Sequence, residues 1–180
     1  SPFELTTPLA VEEGKMYTWE FTGGRGLLHA KTDRYPDGAA GGGPRDHCFR
    51  IHFVKTLESV SGRRVVDTQD ETVGLSERDS EELEGSPNLL IKEDGTVIVR
   101  QEVGDDHGLI PPWQTFIAPI TGMISVIELK PNTFLGIAGK LSVYEGAGIR
   151  GKRLHQQDYA VDEQRGFPWS PFELTTPLAV

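Results

Sequence analysis

Asn132 to Leu154 reads N-T-F-L-G-I-A-G-K-L-S-V-Y-E-G-A-G-I-R-G-K-R-L. Phe134 to Ala138 is short and apolar, and Gly136, Gly139, Gly146, Gly148 and Gly151 recur at intervals too irregular for a helix. The pattern predicts two strands joined by a tight connection, with glycine where the chain bends or a neighbouring backbone comes close. Working outward, the same rhythm continues. Lys15 to Thr22 alternates, with Tyr17, Trp19 and Phe21 on one face and Met16, Thr18, Glu20 and Thr22 on the other. His47 to Lys55 sets Phe49, Ile51 and Phe53 against Cys48, Arg50, His52 and Val54. Asp94-Gly95 joins the runs 89–92 and 96–101 as a hairpin.

Further strands are expected at 27–31, 63–73, 123–130, 159–161 and 172–175. The glycine-rich stretch 33–45 reads as a mobile mouth loop, because it lacks the spacing of either phosphate-binding glycine motif. The acidic run 76–84 and the segment 104–113, with Pro111-Pro112, read as loops. About eight or nine strands with Gly/Pro turns and no amphipathic helix predict an all-β domain, either barrel or sandwich.

The chain has 180 residues, enough for one domain with a sizeable core. A net charge of -9 argues against nucleic acid or an anionic membrane surface as partner, since both require a basic footprint. Cys48 is the single cysteine, so no internal disulfide forms. No apolar run approaches the ~20 residues that span a bilayer. No leader pattern opens the chain, which leaves localisation open and favours the cytoplasm. The histidines His29, His47, His52, His107 and His155 are scattered and predict no metal site.

Residues 1–11, S-P-F-E-L-T-T-P-L-A-V, recur letter for letter at 170–180. We read 170–180 as the native copy within a domain spanning 12–180. The 1–11 copy is then either an artefact of duplication or an extra strand pairing at another edge.

The T-F-L-x-I-x-G run at 133–139 and the V-x-E-G-A run at 143–147, with the glycines that follow, resemble the hairpin of the allene oxide cyclase family, whose barrel is related to the dirigent proteins. The resemblance covers about twenty positions. It implies a single antiparallel eight- to nine-stranded barrel whose closed sheet encloses room for one small ligand. It also implies a cofactor-independent isomerase that confines an unsaturated fatty-acid epoxide while it closes to a ring. The family strand with a lumen-facing cysteine is similar to H-C-F-R-I-H-F-V-K, which puts Cys48 on that cysteine. Y-T-W-E-F-T resembles the strand carrying the barrel-floor glutamate, which puts Glu20 there. The family's water-holding asparagine has no counterpart, because Asn88 and Asn132 are the only asparagines and neither matches.

Two face assignments stay open for these strands. In the ordinary one the aromatic faces form the core and the polar faces meet water. In the inverted one, which the resemblance favours, Glu20, Cys48, Arg50 and His52 line a lumen as catalytic groups, with Thr18 beside Glu20. Tyr17, Trp19, Trp113 and Tyr144 then pack the substrate, and outward aromatics demand a homo-oligomer. A Cys48–His52 dyad is excluded within one strand, since four residues span roughly 13 Å. The expected function is a cofactor-independent cyclase or isomerase of natural-product biosynthesis, acting on a polyene, polyketide-like or oxylipin substrate, with pericyclic closure as one route. The alternatives are a true allene oxide cyclase and a non-catalytic carrier or directing protein for small hydrophobes.

Overall fold

The computed structural model describes residues 3–5, 8–23, 27–41, 43–55, 88–105, 110–130, 137–161 and 170–174. Among them the chain forms β1 (Phe3–Leu5), β2 (Leu9–Val11), β3 (Met16–Thr22), β4 (His29–Ala30), β5 (Asp46–His47), β6 (Phe49–Val54) and β7 (Leu89–Ile91). There follow β8 (Val97–Gln101), β9 (Trp113–Ile117), β10 (Gly122–Leu129), β11 (Ile137–Glu145), β12 (Arg153–Val161) and β13 (Ser170–Leu174). The protein is all-β, with no helix among the described residues. The strand expected at 63–73, the acidic loop 76–84 and residues 132–136 of the glycine-marked hairpin lie outside the described residues.

One sheet runs β1-β13-β10-β6-β8-β7, with β2 also paired to β10; a second runs β12-β11-β3-β9; β4 and β5 form a ribbon. Every pairing is antiparallel except β1 with β13, where the repeated segments lie parallel and in register, Phe3 opposite Phe172. These pairings make two facing sheets and a ribbon, and do not close into a single ring. The ribbon region ties one flank together. Leu28 N donates to Lys130 O at the end of β10, and Thr115 N of β9 donates to Ala39 O.

The aromatic faces point inward. Tyr17, Trp19 and Phe21 are 4%, 0% and 2% exposed, and they pack with Phe49, Ile51 and Phe53 of β6, Phe116 of β9 and Leu141 and Val143 of β11. Burying each such side chain stabilises the fold by about 1.5–3 kcal/mol. The inverted lumen expected from the resemblance is therefore corrected: the rings fill the middle. The physical reason is the match of two faces: β3 and β6 each carry an uninterrupted apolar face, and two packed sheets cover both by burying them in one core. The aromatic patch on which self-association was expected is inside the core.

Strand β10 shows how the core is kept continuous. Its register to β6 shifts between Ile124 and Val126, and this bulge changes the phase, so that Ile124 and Ile127 are both fully buried. At the far end of the second sheet, Gly23 and Gly139 meet closely. A Cβ on Gly139 would stand 2.1 Å from Thr22 O, so neither chain could approach with a side chain there.

Two hairpins follow the sequence reading. Gly95, at φ +80°, turns β7 into β8, with Gly95 N donating to Lys92 O and Thr96 N to Asp94 Oδ1. Gly146 and Gly148, at φ +84° and +85°, turn β11 towards β12. Strand β9 was not expected: only its first residue, Trp113, fell in the segment 104–113 that read as a loop, and no strand was read between that segment and 123. The strand starts directly after Pro111-Pro112, and residues 106–109 of the expected loop lie outside the described residues.

Candidate functional site

Because Tyr17, Trp19 and Phe21 take the interior, Met16, Thr18 and Glu20 fall on the outer face of the second sheet. Their cross-strand neighbours follow from the register. Met16 lies opposite Ile117, Thr18 opposite Thr115 and Tyr144, and Glu20 opposite Trp113 and Ser142. Four of the expected site residues, Thr18, Glu20, Trp113 and Tyr144, are thus brought onto one face, outside the core.

Two connections rise beside this face. The first is residues 35–39. Asp46, buried at the ribbon, accepts hydrogen bonds from Arg34 N at 2.6 Å, Tyr35 N at 2.8 Å and Gln114 Nε2 at 2.9 Å. Gln114 in turn accepts from His47 N at 3.0 Å. Ala39 N donates to Thr115 Oγ1 at 2.7 Å, and the ring of Tyr35 packs edge-on against Phe49, 5.2 Å away. Gly38 lies so close to β9 that a Cβ would stand 2.0 Å from Thr115 O. The stretch expected to be a mobile mouth loop is, at 33–39, fastened to the core by these bonds.

The second connection is the turn after β11. Thr18, fully buried, donates to Gly146 O at 2.7 Å and accepts from Gly148 N at 2.8 Å. One hydroxyl therefore satisfies both a carbonyl and an N–H of a turn whose glycines have left-handed φ values.

Between the two connections lies a cleft of about 470 Å³. Its apolar walls include Met16, Pro36, Trp113 and Ile117; Ala147 and Gly148 close the other side, and Asp37 is the one charged lining residue among those described. Beside the cleft, Tyr144 Oη donates to Glu20 Oε2 at 2.8 Å. Partial desolvation and the Glu20 carboxylate raise the Tyr144 pKa, so the phenol keeps its proton.

The other expected site residues are elsewhere. Tyr17 and Trp19 are core residues; Tyr17 stacks on Phe116 at 5.8 Å, and its hydroxyl accepts from Glu12 N. Cys48 is buried beside Leu28 and Gly104, and burial pushes its pKa up to about 12, which keeps it a thiol and a poor nucleophile. Arg50 and His52 project from the outer face of the other sheet towards Glu102 and Glu128. The proposed catalytic quartet is therefore dispersed: Glu20 on one sheet, Arg50 and His52 on the other, Cys48 within.

Inside, a polar cluster underlies the 35–39 loop. His47 Nε2 bonds Pro111 O at 2.8 Å, and the His47 ring lies 5.4 Å from Trp19. Burial drives the His47 pKa down to about 4, so the ring is neutral, with Nε2–H donating to Pro111. Trp19 Nε1 and His47 Nδ1 have no hydrogen-bond partner among the described residues. Among those residues no group of three or more His, Cys, Asp or Glu side chains can hold a metal ion. No helix long and apolar enough to cross a membrane occurs among the described residues.

Sequence reasoning missed Asp37, Thr115, Ile117 and Ala147. Thr115 and Ile117 alternate with Gln114 and Phe116, a signal hidden by the preceding prolines. No family model, curated protein or solved structure matches this chain.

Proposed function

We propose that this chain binds one compact hydrophobic small molecule in the cleft between residues 35–39 and the 146–148 turn, as a carrier that leaves its ligand unchanged. The observation that carries this reading is the cleft's make-up. Trp113, Met16 and Ile117 give it apolar walls on rigid strands, and its volume of about 470 Å³ is that of a small-ligand pocket. Strand residues position a ligand more firmly than loop residues do, and the two hydrogen-bonded connections keep the walls apart. For the architecture we keep an allene oxide cyclase-like barrel, open along one flank. The ties from Leu28 to Lys130 and from Ala39 to Thr115 across the other flank support it.

A second reading, a cofactor-independent cyclase or isomerase promoting ring closure of a polyene, polyketide-like or oxylipin substrate, draws on the Tyr144–Glu20 pair. A phenol hydrogen-bonded to a carboxylate can hold a proton against developing charge beside the cleft.

The neutral fluorophore N-phenyl-1-naphthylamine tests the binding reading. It should bind the full chain saturably, with brightened emission, and Trp113→Ala should weaken it about tenfold, the equivalent of about 1.4 kcal/mol. Equal binding by parent and variant would remove the cleft as the site. Incubation with linear polyenes separates the two readings: a ring-closed product formed by the parent and lost in Glu20→Gln supports the cyclase, and unchanged polyene supports the carrier.

A further inference from the structure

The outer face of the larger sheet carries an arrangement that sheets ordinarily avoid. Arg50 of β6 and Arg100 of β8 stand directly opposite each other in register. Like charges so placed repel and destabilise a strand pair. Two carboxylates temper this. Glu102 accepts from Arg50 Nε at 2.5 Å and lies 4.0 Å from Arg100; Glu128, opposite Arg50 on β10, lies 3.7 Å from Arg50 and 3.1 Å from His52. Burial raises the Glu128 pKa, but His52 and Arg50 more than offset it, so Glu128 is held below the usual carboxylate range and stays ionised.

These groups line a pocket of about 300 Å³, together with Lys92 and an apolar floor of Leu90 and Ile98. Setting His52 aside, the charges among the described lining residues are the cations Arg50, Arg100 and Lys92 against the carboxylates Glu102 and Glu128, an excess of one positive charge. The rest of the chain carries the opposite balance, with a net charge of -9 overall. The excess is also localised. Arg50 is held between two carboxylates, whereas Arg100 reaches Glu102 only at 4.0 Å, and Lys92 makes no ion pair among the described residues.

We propose that this pocket binds a small organic monocarboxylate, its head taken by Arg100 and Lys92 and its apolar body laid on Leu90 and Ile98. A guanidinium matches a carboxylate with two parallel N–H donors; β8 carries Arg100 and Ile98, β7 carries Leu90, and Lys92 directly follows β7. Glu102 acts as the internal competitor for Arg100 and leaves it when the ligand arrives. The site is independent of the cleft on the other sheet.

The test is titration of the full chain with 2-naphthoate, followed by calorimetry. The expected result is saturable binding that weakens as salt rises, falls about tenfold in Arg100→Gln and tightens several-fold in Glu102→Gln, where the competitor has lost its charge. Both changes are at partly exposed side chains, and circular dichroism verifies that the fold is kept. Unsaturable binding, or Arg100→Gln binding as well as the parent, overturns the proposal. So does weaker binding by Glu102→Gln, which would make that residue a support and not a competitor. A loss in Trp113→Ala with none in Arg100→Gln places the probe in the cleft and likewise overturns it.

Discussion

Thr18 and Gly148 are locked together: the threonine hydroxyl accepts from Gly148 N at 2.8 Å while it donates to Gly146 O at 2.7 Å. A buried side chain on one strand thereby holds the turn that forms one wall of the cleft. Thr18→Val keeps the shape and deletes both bonds. It should cost about 1–3 kcal/mol of stability, since a carbonyl and an N–H lose their partner. Ligand affinity should fall with it, and urea unfolding beside the fluorophore titration checks both. Thr18→Ser, which retains the hydroxyl, should restore most of the loss.

The opposite wall depends on an absent side chain. Gly38→Ala would place a methyl 2.0 Å from Thr115 O and 2.9 Å from a Tyr35 ring carbon. The backbone oxygen cannot give way without breaking the loop's own bonds to β9. We expect a loss of about 2 kcal/mol or more, within the range of overpacked core sites, and a cleft that no longer binds the fluorophore. Gly14→Ala tests a different cause: its added Cβ meets nothing within 4 Å, so only its φ of +76° resists the change. It should be destabilised by a smaller amount and should leave binding intact.

His47 makes the fold acid-sensitive. Its folded pKa, about 4, lies below its unfolded value of 6.5, so neutral His47 contributes stability that is fully present above pH 6.5 and lost as pH falls towards 4. The full effect is about 3 kcal/mol on the scale of 1.36 kcal/mol per unit. His155, which burial also lowers, acts in the same sense. Burial raises the pKa of Asp46, so that above its ordinary value of 3.8 the group works oppositely and favours the fold as pH falls. Urea midpoints from pH 8 to 4 should therefore drop. A His47→Gln chain should show a shallower drop, retaining the His155 share. An identical slope in both chains would place the acid sensitivity elsewhere.

Trp19 combines full burial with an indole N–H that lacks a partner among the described residues. Trp19→Phe loses packing volume and also removes that orphaned donor, whose desolvation costs about 1–3 kcal/mol. The two effects oppose each other, so the variant should unfold within about 1 kcal/mol of the parent. A typical loss for an aromatic truncation, about 3–5 kcal/mol, would mean that the N–H is bonded.

Much of the fold could be read in the chain because its strands alternate strongly. Tyr17, Trp19 and Phe21 against Thr18 and Glu20 is a period-two pattern that only a half-buried strand explains, and Asp94-Gly95 announced its hairpin. The side of the strand that faces inward is not contained in the alternation. Either face of β3 can be core until its partner sheet is known, and the ordinary assignment prevails because β6 presents Phe49, Ile51 and Phe53 to the same space. Strand β9 escaped because two prolines precede it and its polar Gln114 is buried through bonds to Asp46 and His47, which no local pattern encodes. For the site, Glu20, Thr18, Trp113 and Tyr144 were recognisable as residue types, but their meeting depends on the register of β3 with β9 and β11. Asp37 and Ala147 come from connections, and their place over the sheet is set by Gly38, Thr18 and Asp46.

The proposed carrier holds its small hydrophobe outside the core, on the β3–β9 face between two pinned connections. The most direct measurement is an amide chemical-shift map of the full chain titrated with N-phenyl-1-naphthylamine. Saturable shifts are expected at Met16, Ala39, Trp113, Ile117 and Gly148, with Phe49 and Ile51 unmoved. Shifts centred on the interior strands around Phe49, Ile51 and Leu141, with the cleft residues silent, would contradict it.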